Sequence, residues 1–219
     1  MTGLETYPII GLAEEVGEQL CIQNCLELSQ RWIEQCRNQH LECETVYSNE
    51  LPTRVLDLSD CHGPVNLRLY EPSPSEGAKY VALSYCWGKL GNLTTTMANI
   101  AGRKCGISWD LLPNSFRDAV TITRGLGMRY LWIDALCIIQ DDKSDWEREA
   151  AKMGQVYENA FLTIAADGAE DPTRGILTSR STDMVSTNRN SKRPKRNLKF
   201  RYSHSPTRKE MSMMFVYER

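Results

Sequence analysis

Residues 129–139, RYLWIDALCII, constrain the fold more than any other stretch of the chain. Leu131, Trp132, Ile133, Ala135, Leu136, Ile138 and Ile139 leave no polar face. A strand with one wet face alternates, so a run this apolar predicts a central strand covered on both sides. Asp134 interrupts it. A carboxylate inside such a strand is costly unless it is paired or stands at the sheet edge. The run ends on Asp141 and Asp142. Ser144 and Glu147 then form an S-x-x-E capping box, which predicts a helix from near Asp145. Trp146, Ala150, Met153 and Tyr157 follow at spacings of four, three and four and define its packing face. At ~100° per residue Glu149 lies about 60° from the centre of that face, at its rim. Glu147 and Arg148 point away.

Other segments fill in an α/β pattern. Residues 51–58 (LPTRVLDL) and 64–71 (PVNLRLYE) alternate apolar and polar, which predicts two short strands around a polar turn. Residues 79–85 (KYVALSY) predict a stronger strand, ending at Cys86, Trp87 and Gly88. A glycine directly after a strand permits backbone geometries that other residues resist, and often opens a ligand loop. Residues 89–106 read as loop with a helical turn. Pro113, with Asn114 or Ser115 as N-cap, begins a helix whose Phe116, Ala119, Val120 and Thr123 share a face, and Gly125 and Gly127 end it. Residues 161–166 predict another strand. Strand, helix, strand, helix, strand implies a mostly parallel sheet flanked by helices, a three-layer α/β fold.

An N-terminal helical segment precedes this. Over residues 12–43, Cys25, Leu28, Trp32, Cys36, His40 and Cys43 fall on one side of a continuous helix. Cys36, His40 and Cys43, with Cys21 or Cys25, could ligate zinc. Structural zinc sites usually use two separated Cys pairs, however, and free cysteines commonly pack as small apolar residues. The packing reading is taken here and no metal is expected.

Composition bounds the class. The 219 residues suffice for one domain of ordinary size with flanking pieces, and 41% apolar residues allow a core. No run approaches the ~18 apolar residues of a membrane span. The first residues lack a basic start and a long apolar stretch, so no secretory signal is expected. The eight cysteines are then expected in a reducing, cytoplasmic compartment, as thiols rather than disulfides. The net charge of −2 conceals a division. Residues 178–219 carry eleven Lys/Arg against three Asp/Glu, whereas residues 1–177 carry fifteen against twenty-five. The basic end contains KRPKR at 192–196 and is expected to be a disordered, solvated tail. Nuclear import through that run is the alternative reading, and no nucleic-acid partner is expected. The expected organisation is a helical lead-in over 1–50, a domain over 51–177 and a tail over 178–219.

Several blocks recur in the order of a known family. They are YVALSYCWG (80–88), Leu112-Pro113 with Asp118-Ala119, YLWIDALCIIQ (130–140), then Trp146, Met153, Tyr157, Ala160 and Gly175. These resemble the fungal heterokaryon incompatibility (HET) domain over roughly residues 50–177. The family's usual later block around R-x-W-x-x-Q-E has no counterpart here. The resemblance implies a role in non-self recognition, in which the domain triggers cell death when incompatible hyphae fuse. HET domains are also distantly similar to Toll/interleukin-1-receptor-like (TIR) domains. That comparison places Ser84 and its neighbours at the first strand and ligand loop. It places Trp146 and Glu149 near the helix that carries a Trp and a catalytic Glu.

Two functions follow as expectations. One is hydrolysis of NAD as substrate, through an oxocarbenium-like ribosyl centre that a nearby carboxylate stabilises. Glu149 is the first candidate for that carboxylate and Asp134 the second. Ser84, Tyr85, Trp87, Gly88 and Trp146 would bind the ligand, the tryptophans by stacking and the loop amides by holding phosphate. The other is a non-catalytic adaptor that self-associates and recruits other incompatibility proteins. The discriminating feature is Glu149. Facing a pocket lined by residues 84–88 it favours chemistry, and held in a salt bridge it favours the adaptor. No Ser-His-Asp order and no G-x-x-x-x-G-K-[ST] phosphate loop occurs.

Overall fold

The structure, a computed structural model, describes residues 21–39, 50–59, 67–74, 76–89, 92–166, 169 and 171–177, with the backbone of 212–214. Helix α1 spans Ile22–Gln39. Strands β1 (Val55–Asp57), β2 (Arg68–Tyr70) and β3 (Tyr80–Ser84) follow, then helices α2 (Ile100–Cys105) and α3 (Asn114–Gly125). Strand β4 (Tyr130–Trp132), the single turn α4 (Asp134–Cys137), helix α5 (Lys143–Asn159) and strands β5 (Leu162–Ala165) and β6 (Ser212–Met214) complete the order. The strands form one sheet in the order β2-β1-β4-β3-β5-β6.

The fold is α/β, but the sheet is mixed rather than mostly parallel. β3 pairs in parallel with β4 and with β5, and β5 with β6. β1 runs antiparallel to both β2 and β4. The reason is local. The polar sequence between β1 and β2 favours a reversal of the chain, whereas β3 leads to β4, and β4 to β5, through helices that allow parallel pairing.

Two helices cover the two faces of the parallel part. Tyr80 and Trp132 turn toward α5: the Tyr80 hydroxyl donates to the Val156 carbonyl at 2.6 Å, and Trp132 meets Tyr157 edge-on at 5.5 Å. On the alternate positions Tyr85 meets Phe116 of α3 edge-on at 5.1 Å. Period-two side chains therefore send one set to each helix. The predicted α3 face is the buried one, with Phe116, Ala119, Val120 and Thr123 all enclosed. Its N-cap is Pro113 rather than Asn114 or Ser115, and no side chain caps it. Instead the Ser115 amide donates to the Pro172 carbonyl and the Asn114 side-chain amide to Thr173.

The apolar run at 129–139 is buried as predicted, but only residues 130–132 are strand. Asp134 ends it. Its Oδ1 accepts the Ala135 amide at 2.6 Å, and the Leu136 and Cys137 amides turn back to the Ile133 carbonyl. Apolarity signalled burial on all sides, which a buried turn satisfies as well as a strand.

Helix α1 packs on α3 through Leu26, against Gly125, where an added Cβ would come within 2.5 Å of the leucine. Its buried positions are Cys25, Ser29 and Cys36. Trp32, expected on that side, is 47% exposed. His40, Cys43 and residues 178–211 lie outside the described residues, and no cluster of metal-ligating side chains occurs among the described ones. No described helix is long and apolar enough to cross a membrane.

After β5, residues 171–177 return over the start of α3. Asp118 Oδ2 accepts the Ile176 and Leu177 amides at 2.7 and 3.0 Å. Gly175 makes this approach possible: its φ is +86°, and a Cβ there would stand 2.9 Å from the same oxygen. This accounts for the Asp118 and Gly175 blocks in the sequence. Gly175→Ala is expected to destabilise the fold by about 1–2 kcal/mol from the left-handed backbone alone. Urea unfolding, read as a lower midpoint at unchanged slope, checks it.

Candidate functional site

In the parallel part the second strand, first strand and third strand stand side by side as β4-β3-β5, so the strand order reverses at β3. Ligands of open α/β sheets bind outside the carboxyl ends at such a reversal. At this edge lie the loop after β3 and the turn after β4.

Trp87 and Asp134 meet there. The Trp87 indole N–H donates to Asp134 Oδ2 at 2.7 Å, and the ring remains 40% exposed. The Asn92 side-chain amide donates to the Tyr85 hydroxyl at 2.7 Å. The Tyr157 hydroxyl donates to the Leu83 carbonyl at 3.2 Å, beneath the loop. Burial pushes the Asp134 carboxyl above the ordinary aspartate range, against the lowering effect of its Trp87, Ala135 and Tyr85 donors. Burial, and then the charge of Asp134, push the Tyr85 hydroxyl up. The same two causes raise Tyr157. A carboxylate whose ionisation costs more than usual, standing at a ligand edge, is the kind of group that active sites use.

The loop that carries Asn92 is locked to the turn that carries Asp134. Thr95 is fully buried and donates its hydroxyl to the Leu136 carbonyl at 2.6 Å and its amide to Ala135 at 2.9 Å. Its carbonyl accepts the Gln140 amide, and the Gln140 side chain reaches the Asp134 carbonyl at 3.2 Å. The Met97 amide donates to Asp141 Oδ1. Gly88 has a φ of +69°, in keeping with the expected turn after the strand. Ser84 remains in the sheet, where its carbonyl accepts the Ala166 amide.

The helix-borne candidates stand elsewhere. Glu149, expected at the rim of the packing face, is 4% exposed. It accepts from the Thr53 hydroxyl at 2.9 Å and pairs with Arg148 Nε at 3.3 Å. Its bonds run toward the entrance of β1 and not to residues 84–88. Trp146, expected to pack, is 50% exposed. The fully buried positions of α5 are Asp145, Glu149 and Val156, and Met153 and Tyr157 of the expected face pack partly buried against the core, so the buried face is turned toward the acids and away from Trp146. Arg54 explains the rotation. It is buried, donates Nε to the Cys137 carbonyl at 2.6 Å and pairs with Asp145. Asp145 also accepts the Ile139 amide at 2.9 Å and pairs with Arg148. Burial works against ionisation of Asp145, but the Arg54 bond and the Ile139 amide outweigh it and lower its pKa. The helix cap is Asp142 rather than Ser144. Its carboxylate accepts the Ser144 and Asp145 amides at 2.9 and 3.3 Å.

So Tyr85, Trp87 and Asp134 come together at the edge, next to Ser84 and Gly88, while Glu149 and Trp146 do not join them. Asn92, Thr95, Gln140 and Tyr157 complete the constellation. Asn92 and Thr95 come from a stretch, NLTTTMANIAG, that has no periodic signal and is marked only by its Thr and Gly residues as polar loop, whereas Gln140 belongs to the YLWIDALCIIQ block and Tyr157 to the apolar face of α5.

The family described as Heterokaryon incompatibility protein (HET) matches residues 80–218. The chain belongs to the HET family. Membership supports a function in heterokaryon incompatibility. Searches of curated proteins and of solved structures returned no match.

Proposed function

We propose that this HET-family chain triggers cell death on fusion of incompatible hyphae, and that it does so by hydrolysing NAD at the carboxyl edge of β3 and β4. The observation that carries the reading is Asp134, a partly buried carboxylate held against an exposed indole. Loss of nicotinamide leaves an oxocarbenium-like ribosyl centre, which a carboxylate near the ribose stabilises. In this reading Asp134 supplies that charge, Trp87 stacks on a ring of the dinucleotide, and Asn92 and Tyr85 line the mouth. The relation to TIR domains and a cytoplasmic setting, with nuclear entry through residues 192–196, belong to the same proposal.

A second reading is favoured by Glu149. Its ion pair with Arg148 and its bond from Thr53 withdraw the helix-borne carboxylate from the mouth, as expected of an adaptor that self-associates and recruits other incompatibility proteins. NAD loss over time decides between them, with concentrated wild-type protein beside Asp134→Asn and Glu149→Gln. The NADase reading expects loss in the wild type and a fall of at least about 100-fold, some 2.7 kcal/mol, in Asp134→Asn. No loss in the wild type supports the adaptor. Loss that survives Asp134→Asn but not Glu149→Gln moves the chemistry to Glu149.

A further inference from the structure

The three acids that are fully buried among the described residues are balanced by arginine. Asp57 is held by Arg129, through both of its oxygens at 2.9 Å, and by Arg68 at 3.3 Å. Asp145 has Arg54 and Arg148, and Glu149 has Arg148. Asp134 has none among the described residues. Its partners are the Trp87 indole N–H, the Ala135 amide and the Tyr85 hydroxyl, all neutral. A partly buried carboxylate without a counter-ion leaves a negative potential at whatever surface it faces.

That surface carries two further features. The first is the Trp87 ring, which is exposed yet fixed through its N–H, so one face of its π-system is available without the entropy of ordering it. Cations are attracted to such a face, most strongly where water is excluded. The second is Asn92. Its amide nitrogen is spent on Tyr85, while its Oδ1 is buried and has no partner. An enclosed acceptor without a partner is destabilising, and a ligand N–H that reaches it as the side chains around it shift relieves that. A negative charge, a fixed aromatic face and an open acceptor ask for one kind of molecule: flat, positively charged and carrying an N–H.

We propose that the mouth formed by Trp87, Asp134 and Asn92 binds planar aromatic cations of the N-alkylpyridinium carboxamide type and discriminates against their uncharged counterparts. The inference rests on the reading of this edge as the ligand site. It goes further in requiring no nucleotide half for recognition. The absent counter-ion also agrees with the upward shift of the Asp134 carboxyl that burial produces.

The test titrates purified full-length chain with 1-methylnicotinamide, a cation, and with nicotinamide, which is neutral. Indole N–H resonances are followed by NMR, and the Trp87 signal is assigned by its loss in Trp87→Phe. The expected result is a shift of the Trp87 resonance and at least tenfold tighter binding of the cation. In Asp134→Asn the ratio should fall to near one, while in Trp32→Phe it should be unchanged. Equal binding of the two compounds by the wild type, or a ratio that survives Asp134→Asn, overturns the proposal. The wild-type ratio stands whether or not Asp134→Asn folds. Equal binding together with NAD loss removes this inference and leaves hydrolysis. Discrimination without NAD loss does the reverse.

Discussion

Replacing Arg54 by alanine is expected to destabilise the protein by about 3–5 kcal/mol, as breaking a buried ion pair does. The guanidinium is enclosed between Asp145 and the Cys137 carbonyl, so its removal strips a donor from each. Arg148 and the Ile139 amide remain on Asp145 and keep the loss toward the lower end of that range. For a chain of this size, about 3 kcal/mol lowers the melting temperature by roughly 6–12 °C. The cost is of separation rather than of lost attraction, and a second variant shows it. Arg54→Met with Asp145→Leu removes both charges and should recover part of the loss, though the Ile139 amide stays unpaired. A double variant no better than Arg54→Ala would mean that the pair contributes through its hydrogen bonds alone. Thermal unfolding of the three proteins settles the order.

The same network explains where the sequence was readable and where it was not. Helix α5 was visible in its apolar spacing and in the polar residues at its start, although Asp142 rather than Ser144 caps it, and it forms over Lys143–Asn159. Its orientation was hidden, because apolar periodicity assumes that charged side chains face water. Arg54, ninety-one positions earlier, supplies the charge that lets Asp145 face inward, and Trp146 is turned outward as a consequence. No local pattern announces such a partner. The strand at 130–132 was legible from its apolar run, but its end at Asp134 was not, since the turn that follows is just as buried. The site divides in the same way. Tyr85, Trp87 and Gly88 stand where a strand meets a glycine, a local signal. Asn92 and Thr95 reach the site through contacts to residues 85 and 136, and only the folded chain brings those together. The antiparallel edge was implicit in the polar sequence between β1 and β2. What the sequence left open was that β1 would also join β4, so that one hairpin extends the parallel sheet.

Trp132 joins the core to the site, and Trp132→Ala is expected to cost about 3–5 kcal/mol. The ring is 2% exposed and meets Tyr157 edge-on at 5.5 Å, an arrangement worth about 0.5–1.5 kcal/mol beyond the area it buries. The cavity left behind lies between the sheet and α5, under the tyrosine whose hydroxyl reaches the Leu83 carbonyl. β3 continues from Leu83 into Tyr85 and Trp87, so a loosened Tyr157 removes a support from the mouth itself. Trp132→Phe separates the two effects. Phenylalanine keeps an aromatic edge for Tyr157 and removes less volume, so its stability loss should be roughly half that of alanine. If support of the mouth depends on the edge contact, Trp132→Phe leaves the Trp87 indole resonance in place, whereas Trp132→Ala shifts it well below the unfolding transition. A Trp87 resonance unmoved in Trp132→Ala would mean that the loop after β3 is held by Asp134 and Thr95 alone. The core would then set only how much of the protein is folded, and the shape of its ligand edge would be fixed by the polar contacts around Asp134.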